Sequence, residues 1–137
     1  MNPNSLDICR AFVTRADAIV SDDTIEQGSE YEVVVQFEAG DVIAGLQPEV
    51  KITVAAHDLM VGQVDTKLSE IRILKLQANK NDYEERFTFT APKMFKPVKF
   101  KGGTIEDNHC FQYQVIIRAP AGLVAFGESQ KFLIYKP

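Results

Sequence analysis

The stretch Gly28-Ser29-Glu30-Tyr31-Glu32-Val33-Val34-Val35-Gln36-Phe37-Glu38-Ala39 decides the fold. Tyr31, Val33, Val35 and Phe37 share one parity, and Glu30, Glu32, Gln36 and Glu38 share the other. Strand side chains point alternately to opposite faces, so this is one dry face backed by one wet, acidic face. β-Branched and aromatic residues suit such a pleated surface, and the polar side rules out a strand buried on both faces. The spacing predicts the central strand of a sheet packed against a second layer.

Working outward, the same alternation recurs. Val50, Ile52, Val54 and Ala56 alternate with Lys51, Thr53, Ala55 and His57, and Phe87 and Phe89 alternate with Arg86, Thr88 and Thr90. Phe111, Tyr113, Val115, Ile117 and Ala119 are set against Gln112, Gln114 and Arg118. Residues 8–20 read as an interrupted opening edge strand, with Ile8, Phe12, Ala16, Ala18 and Val20 inward. Residues 68–77 fit a strand with an irregularity better than a helix, because Ile73 and Leu76 spoil the polar face a helix needs. Asn79-Lys80-Asn81-Asp82 tolerates left-handed backbone and predicts a hairpin loop into the strand at 83–90. Residues 123–126 and 131–135 finish the sheet, with a bulge or kink at Gly127-Glu128-Ser129. Seven or eight short strands with no helix between them predict an all-β, antiparallel two-sheet sandwich.

The totals agree with one domain over residues 1–137, long enough to bury a core without staples. The first seven residues lack the basic and apolar regions of a secretory signal, and no apolar run reaches the length of a membrane span. With only two cysteines, Cys9 and Cys110, a reducing cytoplasm is the expected setting and their pairing is left open. The net charge of −4 is unevenly spread: residues 1–66 carry twelve acids and three bases, and residues 67–137 carry seven acids and twelve bases. If folding preserves that split, acidic and basic surfaces favour head-to-tail contacts or a charged partner.

Glu26-Gln27-Gly28, Phe87-Thr88-Phe89-Thr90-Ala91-Pro92 and Phe111-x-Tyr113-x-Val115-x-Ile117 together resemble immunoglobulin-like and fibronectin type III-like sandwich modules. The resemblance is one of pattern over nearly the whole chain. The inward cysteine pair and packed tryptophan of antibody domains are missing. The resemblance implies the fold, assigns Tyr113 to the corner tyrosine of such modules, and carries no function, because this architecture hosts many.

Chemistry-bearing side chains are few. His57-Asp58 and His109-Cys110 are the candidates for a metal or a nucleophile–base pair, and a small-ligand or metal role would rest on His57, His109, Cys110 and an Asp. Regular strand geometry points His109 and Cys110 to opposite faces, which argues against their direct contact. No cofactor motif stands out: Gly102-Gly103 reads as a turn, and the acidic pairs at 22–23, 84–85 and 106–107 read as solvated. The chain is therefore expected to be non-enzymatic.

Lys93-Met94-Phe95-Lys96-Pro97-Val98-Lys99-Phe100-Lys101 holds four lysines, two phenylalanines and no acid. It fits an edge strand guarded by lysines, or a partner site built from Lys93, Phe95, Lys96, Lys99, Phe100 and Lys101. Nucleic acid or lipid would use the same lysines and aromatics, but protein is the favoured partner. The expectation is a protein-binding or self-associating module that uses this stretch and the acidic face carrying Glu30, Glu32 and Glu38. A structural domain of a larger assembly is the alternative.

Overall fold

The computed structural model describes residues 4–16, 18–93 and 108–136, with 98–100 and 103–105 as backbone. Its strands are β1 (Leu6–Arg15), β2 (Thr24–Glu26), β3 (Glu30–Ala39), β4 (Glu49–Asp58), β5 (Gln63–Lys75), β6 (Asp82–Thr90), β7 (Val98–Phe100), β8 (Gly103–Ile105), β9 (His109–Arg118), β10 (Val124–Glu128) and β11 (Phe132–Tyr135). The smaller sheet runs β1-β3-β6, and the larger runs β2-β11-β9-β4-β5 with β10 also paired to β9. That is the expected two-sheet sandwich, with nine strands in its sheets instead of seven or eight. One pairing is parallel, between β11 and β2. No helix among the described residues is long and apolar enough to cross a membrane.

β3 lies between β1 and β6, as its sequence predicts. Tyr31, Val33, Val35 and Phe37 pack in one core with Val50, Ile52, Val54 and Ala56 of β4 and with Phe111, Tyr113, Val115 and Ile117 of β9. Burying each large side chain there is worth about 1.5–3 kcal/mol. The two layers are also hydrogen-bonded. Tyr31 and Tyr113 share a buried hydroxyl–hydroxyl bond of 2.7 Å, and the Tyr113 hydroxyl donates to the Leu68 carbonyl at 2.7 Å.

Tyr113 is therefore not a corner tyrosine, since its hydroxyl reaches across the core instead of back along its own strand. Tyr83, at the start of β6, behaves like one. Its hydroxyl accepts the Gln77 N–H at 2.9 Å and donates to the Lys80 carbonyl at 3.0 Å, while its ring stacks on Phe37. Residues 79–82 do not close a hairpin. β5 and β6 belong to different sheets, and the chain crosses between them through Asn79 at φ 66° under the Tyr83 hydroxyl.

Three further irregularities explain where simple alternation fails. In β1 the register slips between Ile8 and Arg10, so Leu6 and Ile8 are followed inward by Ala11 and Val13. Phe12, expected inward, sits on the outer face beneath the Arg10 guanidinium, 4.0 Å from its ring centre. In β5 the chain between Asp65 and Glu70 bulges opposite Ala55. There Ser69 Oγ takes the Ala56 N–H at 3.0 Å and donates to the Asp65 carbonyl at 2.7 Å, and Leu68 turns into the core.

Between β10 and β11, at the expected kink, Ser129 Oγ accepts the Tyr113 N–H. The Gln130 amide satisfies both backbone groups of Val13, tying the edge of one sheet to the break in the other. β10 approaches β1 so closely that a Cβ on Gly127 would lie 2.9 Å from Ile8 Cγ2. Strand structure appears at 98–100, but it pairs with 103–105 as a separate hairpin and joins neither sheet edge.

Candidate functional site

The candidate histidines and cysteine do not converge. β4 and β9 are neighbours, so His57-Asp58 and His109-Cys110 come to the same end of the larger sheet. Alternation then separates them. His109 is buried, and its Nδ1 lies 2.7 Å from Asp58 Oδ2. His57 and Cys110 belong to the outward parity of their strands, and each is partly exposed. Among the described residues no group of three or more His, Cys, Asp or Glu side chains is placed to hold a metal ion.

Cys9 and Cys110 are free thiols. Cys9 is exposed, yet the desolvation it does undergo, then the nearby Glu38 carboxylate, push its thiol above the ordinary value, which disfavours the nucleophilic thiolate.

The outer face of the smaller sheet carries the expected acids, with one correction. Glu30 is exposed and Glu38 partly so, but Glu32 is buried: its Oε1 lies 3.4 Å from Arg86 Nη1. The same guanidinium donates to the Ala18 carbonyl at 3.0 Å and stands beside Val34, which is itself fully covered. Glu32 thus belongs to that covered centre and not to the exposed acidic surface.

Acidity concentrates at one end instead. Asp7, Glu38 and Asp82 oppose one another directly across all three strands, with Glu84 on the next row. Like charges placed opposite each other repel. Among the described residues none of the three has an ion pair. Glu84 is held below its ordinary value by hydrogen bonds from Gln36 and Arg86.

Of the basic stretch, Lys93 is exposed, with its side chain packed near Gly28, whose φ of 83° favours glycine. Lys99 and Phe100 lie in β7, and Phe95, Lys96 and Lys101 lie outside the described residues.

The larger sheet presents what alternation in single strands did not reveal. Ile71 opposes Thr53, Thr53 opposes Ile116, and Ile116 opposes Phe126, making one row across four strands. Ile73, Lys51, Arg118 and Val124 form the next row in the same way. Ile71, Ile73, Phe126 and Val124 are 60%, 66%, 57% and 50% exposed. The result is an apolar band with two cations along one side. Thr53, Lys51 and Arg118 read as outward from the sequence alone, but only cross-strand register brings the eight residues together, and register is set by partners distant in sequence.

No protein-family model matches the chain, and no curated protein matches it. Among solved structures, a glycosyl hydrolase family 2 member from Bacteroides cellulosilyticus aligns over 98% of this chain at 14% identity, with a TM-score of 0.51. A β-glucosidase from Listeria innocua aligns over 93% at 14% identity and a TM-score of 0.42. Spo0M, a sporulation control protein from Bacillus subtilis, aligns over 92% at 14% identity and a TM-score of 0.43. The chain spans 15%, 16% and 49% of the lengths of these three proteins. At such identity the first likeness is one of fold, and the fold is a β-sandwich.

Proposed function

We propose that this chain is a non-catalytic, protein-binding β-sandwich module that docks through the outer faces of its sheets. The observation that carries the reading is the row Ile71–Thr53–Ile116–Phe126, a largely apolar band left open on the outer face of the larger sheet. Contiguous apolar surface on a folded domain marks an interaction site once it exceeds scattered single residues. The acidic row Asp7–Glu38–Asp82, with Glu30 beyond it, and the lysines of residues 93–101 supply charge that steers encounter and sets orientation. In this reading the chain works in a reducing compartment, where Cys9 and Cys110 stay thiols.

Affinity capture with the immobilised full chain, run beside Phe126→Glu and Asp82→Lys, tests the proposal. Wild-type protein is expected to retain a defined protein, Phe126→Glu to lose it, and Asp82→Lys to bind more slowly with a changed salt dependence. Retention that is the same for all three would contradict a role for these faces.

A further inference from the structure

The apolar band names its own best partner when its flanking rows are taken together. On one side of Ile71–Thr53–Ile116–Phe126 runs Ile73–Lys51–Arg118–Val124. On the other side run Ala55, Gln114 and Glu128, again in register. The face is thus cationic on one flank and polar to acidic on the other, with an apolar centre. Such a face is complementary to a copy of itself in one orientation and not in another.

Consider two copies stacked through these faces, related by a two-fold axis. If the axis runs along the strands, each copy's cationic row falls on the other's, and Lys51 meets Arg118 of the second copy. That arrangement desolvates like charges against each other and is excluded by repulsion. If the axis runs along the apolar row, perpendicular to the strands, strand direction reverses between the copies. The cationic row of each then lies over the Ala55–Gln114–Glu128 row of the other.

Ile116 and Phe126 meet their own symmetry mates at the axis. Arg118 stands over Gln114 of the second copy, one strand spacing of about 4.8 Å from its Glu128. An isologous contact repeats every favourable pair twice, so the Arg118–Glu128 contact is made once on each side. Sheets stacked this way keep their strands within about 30° of alignment, the usual geometry of face-to-face packing.

We infer that the occupant of the apolar band is a second copy of this chain, docked about a two-fold axis along the row Ile71–Thr53–Ile116–Phe126. The inference rests on the docking reading above and narrows it to one partner. The larger sheets of the two copies form the interior of the dimer, and the smaller sheets, with the acidic row, face outward at both ends. The dimer therefore keeps its acidic surfaces free for a second, charged partner.

Sedimentation equilibrium of the full chain over a wide concentration range tests this, with far-ultraviolet circular dichroism to verify that each variant folds. Wild type is expected to dimerise and Phe126→Lys to remain a monomer. Arg118→Glu and Glu128→Arg should each weaken the dimer about tenfold or more, since each creates two like-charge contacts. The double variant Arg118→Glu/Glu128→Arg should recover most of the wild-type association, which loss of folding or general stickiness would not produce.

A monomer at every concentration, a dimer indifferent to Phe126→Lys, or charge variants without effect would each overturn the assignment. If the chain stays monomeric yet captures another protein through Phe126, the second-copy assignment falls and the docking reading stands. If neither occurs, both fall.

Discussion

Phe132→Ala is expected to lower the stability of the fold by about 3–5 kcal/mol, as phenylalanine truncations in packed cores do. Phe132 is 1% exposed and sits where the two sheets meet. Its ring lies 5.8 Å from Tyr31, 6.0 Å from Phe111 and 5.8 Å from Tyr113, stacked nearly parallel on the last. β11 is only four residues long, so it cannot collapse into the void without surrendering its pairing with β9 and β2. A domain of ordinary stability has about 5–15 kcal/mol in total, so the loss is a large share of it. Urea titration of wild type and variant measures the difference. A loss under about 1 kcal/mol would mean that the aromatic cluster is not the joint between the sheets.

Raising the pH above the ordinary tyrosine value should destabilise the protein steeply. Burial, the largest cause, pushes the Tyr31 phenol well above 10.0, and burial followed by the neighbouring Tyr31 does the same to Tyr113. Above about pH 10 the unfolded chain gives up both protons while the folded chain keeps them. The unfolded state then binds fewer protons, and stability falls as pH rises. The slope is about 1.4 kcal/mol per pH unit for each group and nearly twice that for the pair. Below the unfolded value both states are protonated and the contribution is fully present.

Tyrosinate absorbance at alkaline pH should therefore rise in step with loss of the folded signal. Tyr31→Phe should remove about half the slope while leaving Tyr113 bonded to the Leu68 carbonyl. Ionisation of all four tyrosines in a chain that stays folded would contradict this.

The sequence showed the inward side of most strands because alternation is a local property. Tyr31, Val33, Val35 and Phe37 were legible, as were Val50 to Ala56 and Phe111 to Ile117, since each strand there is regular and one face is fully dry. Simple alternation puts Phe12 on the wrong face because one slipped residue pair near Cys9 reverses everything after it, and nothing in Ile8-Cys9-Arg10-Ala11 announces the slip. Glu32 looked solvent-facing because its neutralising partner, Arg86, stands fifty-four residues later.

The apolar band was hidden for a related reason. Within single segments nothing marks Ile71, Ile73, Ile116 and Phe126 as neighbours. Only the pairing of β5, β4, β9 and β10 makes them neighbours. Residue identity carries the layers of a sandwich well, whereas a surface that crosses four strands depends on register, which is a tertiary property.

Side-chain footprinting with a photogenerated carbene, comparing dilute with concentrated protein, tests the central claim most directly. Ile71, Ile73, Ile116 and Phe126 should lose labelling as the protein associates. Ile19, Val42 and Leu46, which are 76%, 50% and 74% exposed elsewhere on the surface, should label equally in both samples. Equal labelling of the four band residues at both concentrations, or protection that falls on Ile19, Val42 and Leu46 instead, would contradict the account.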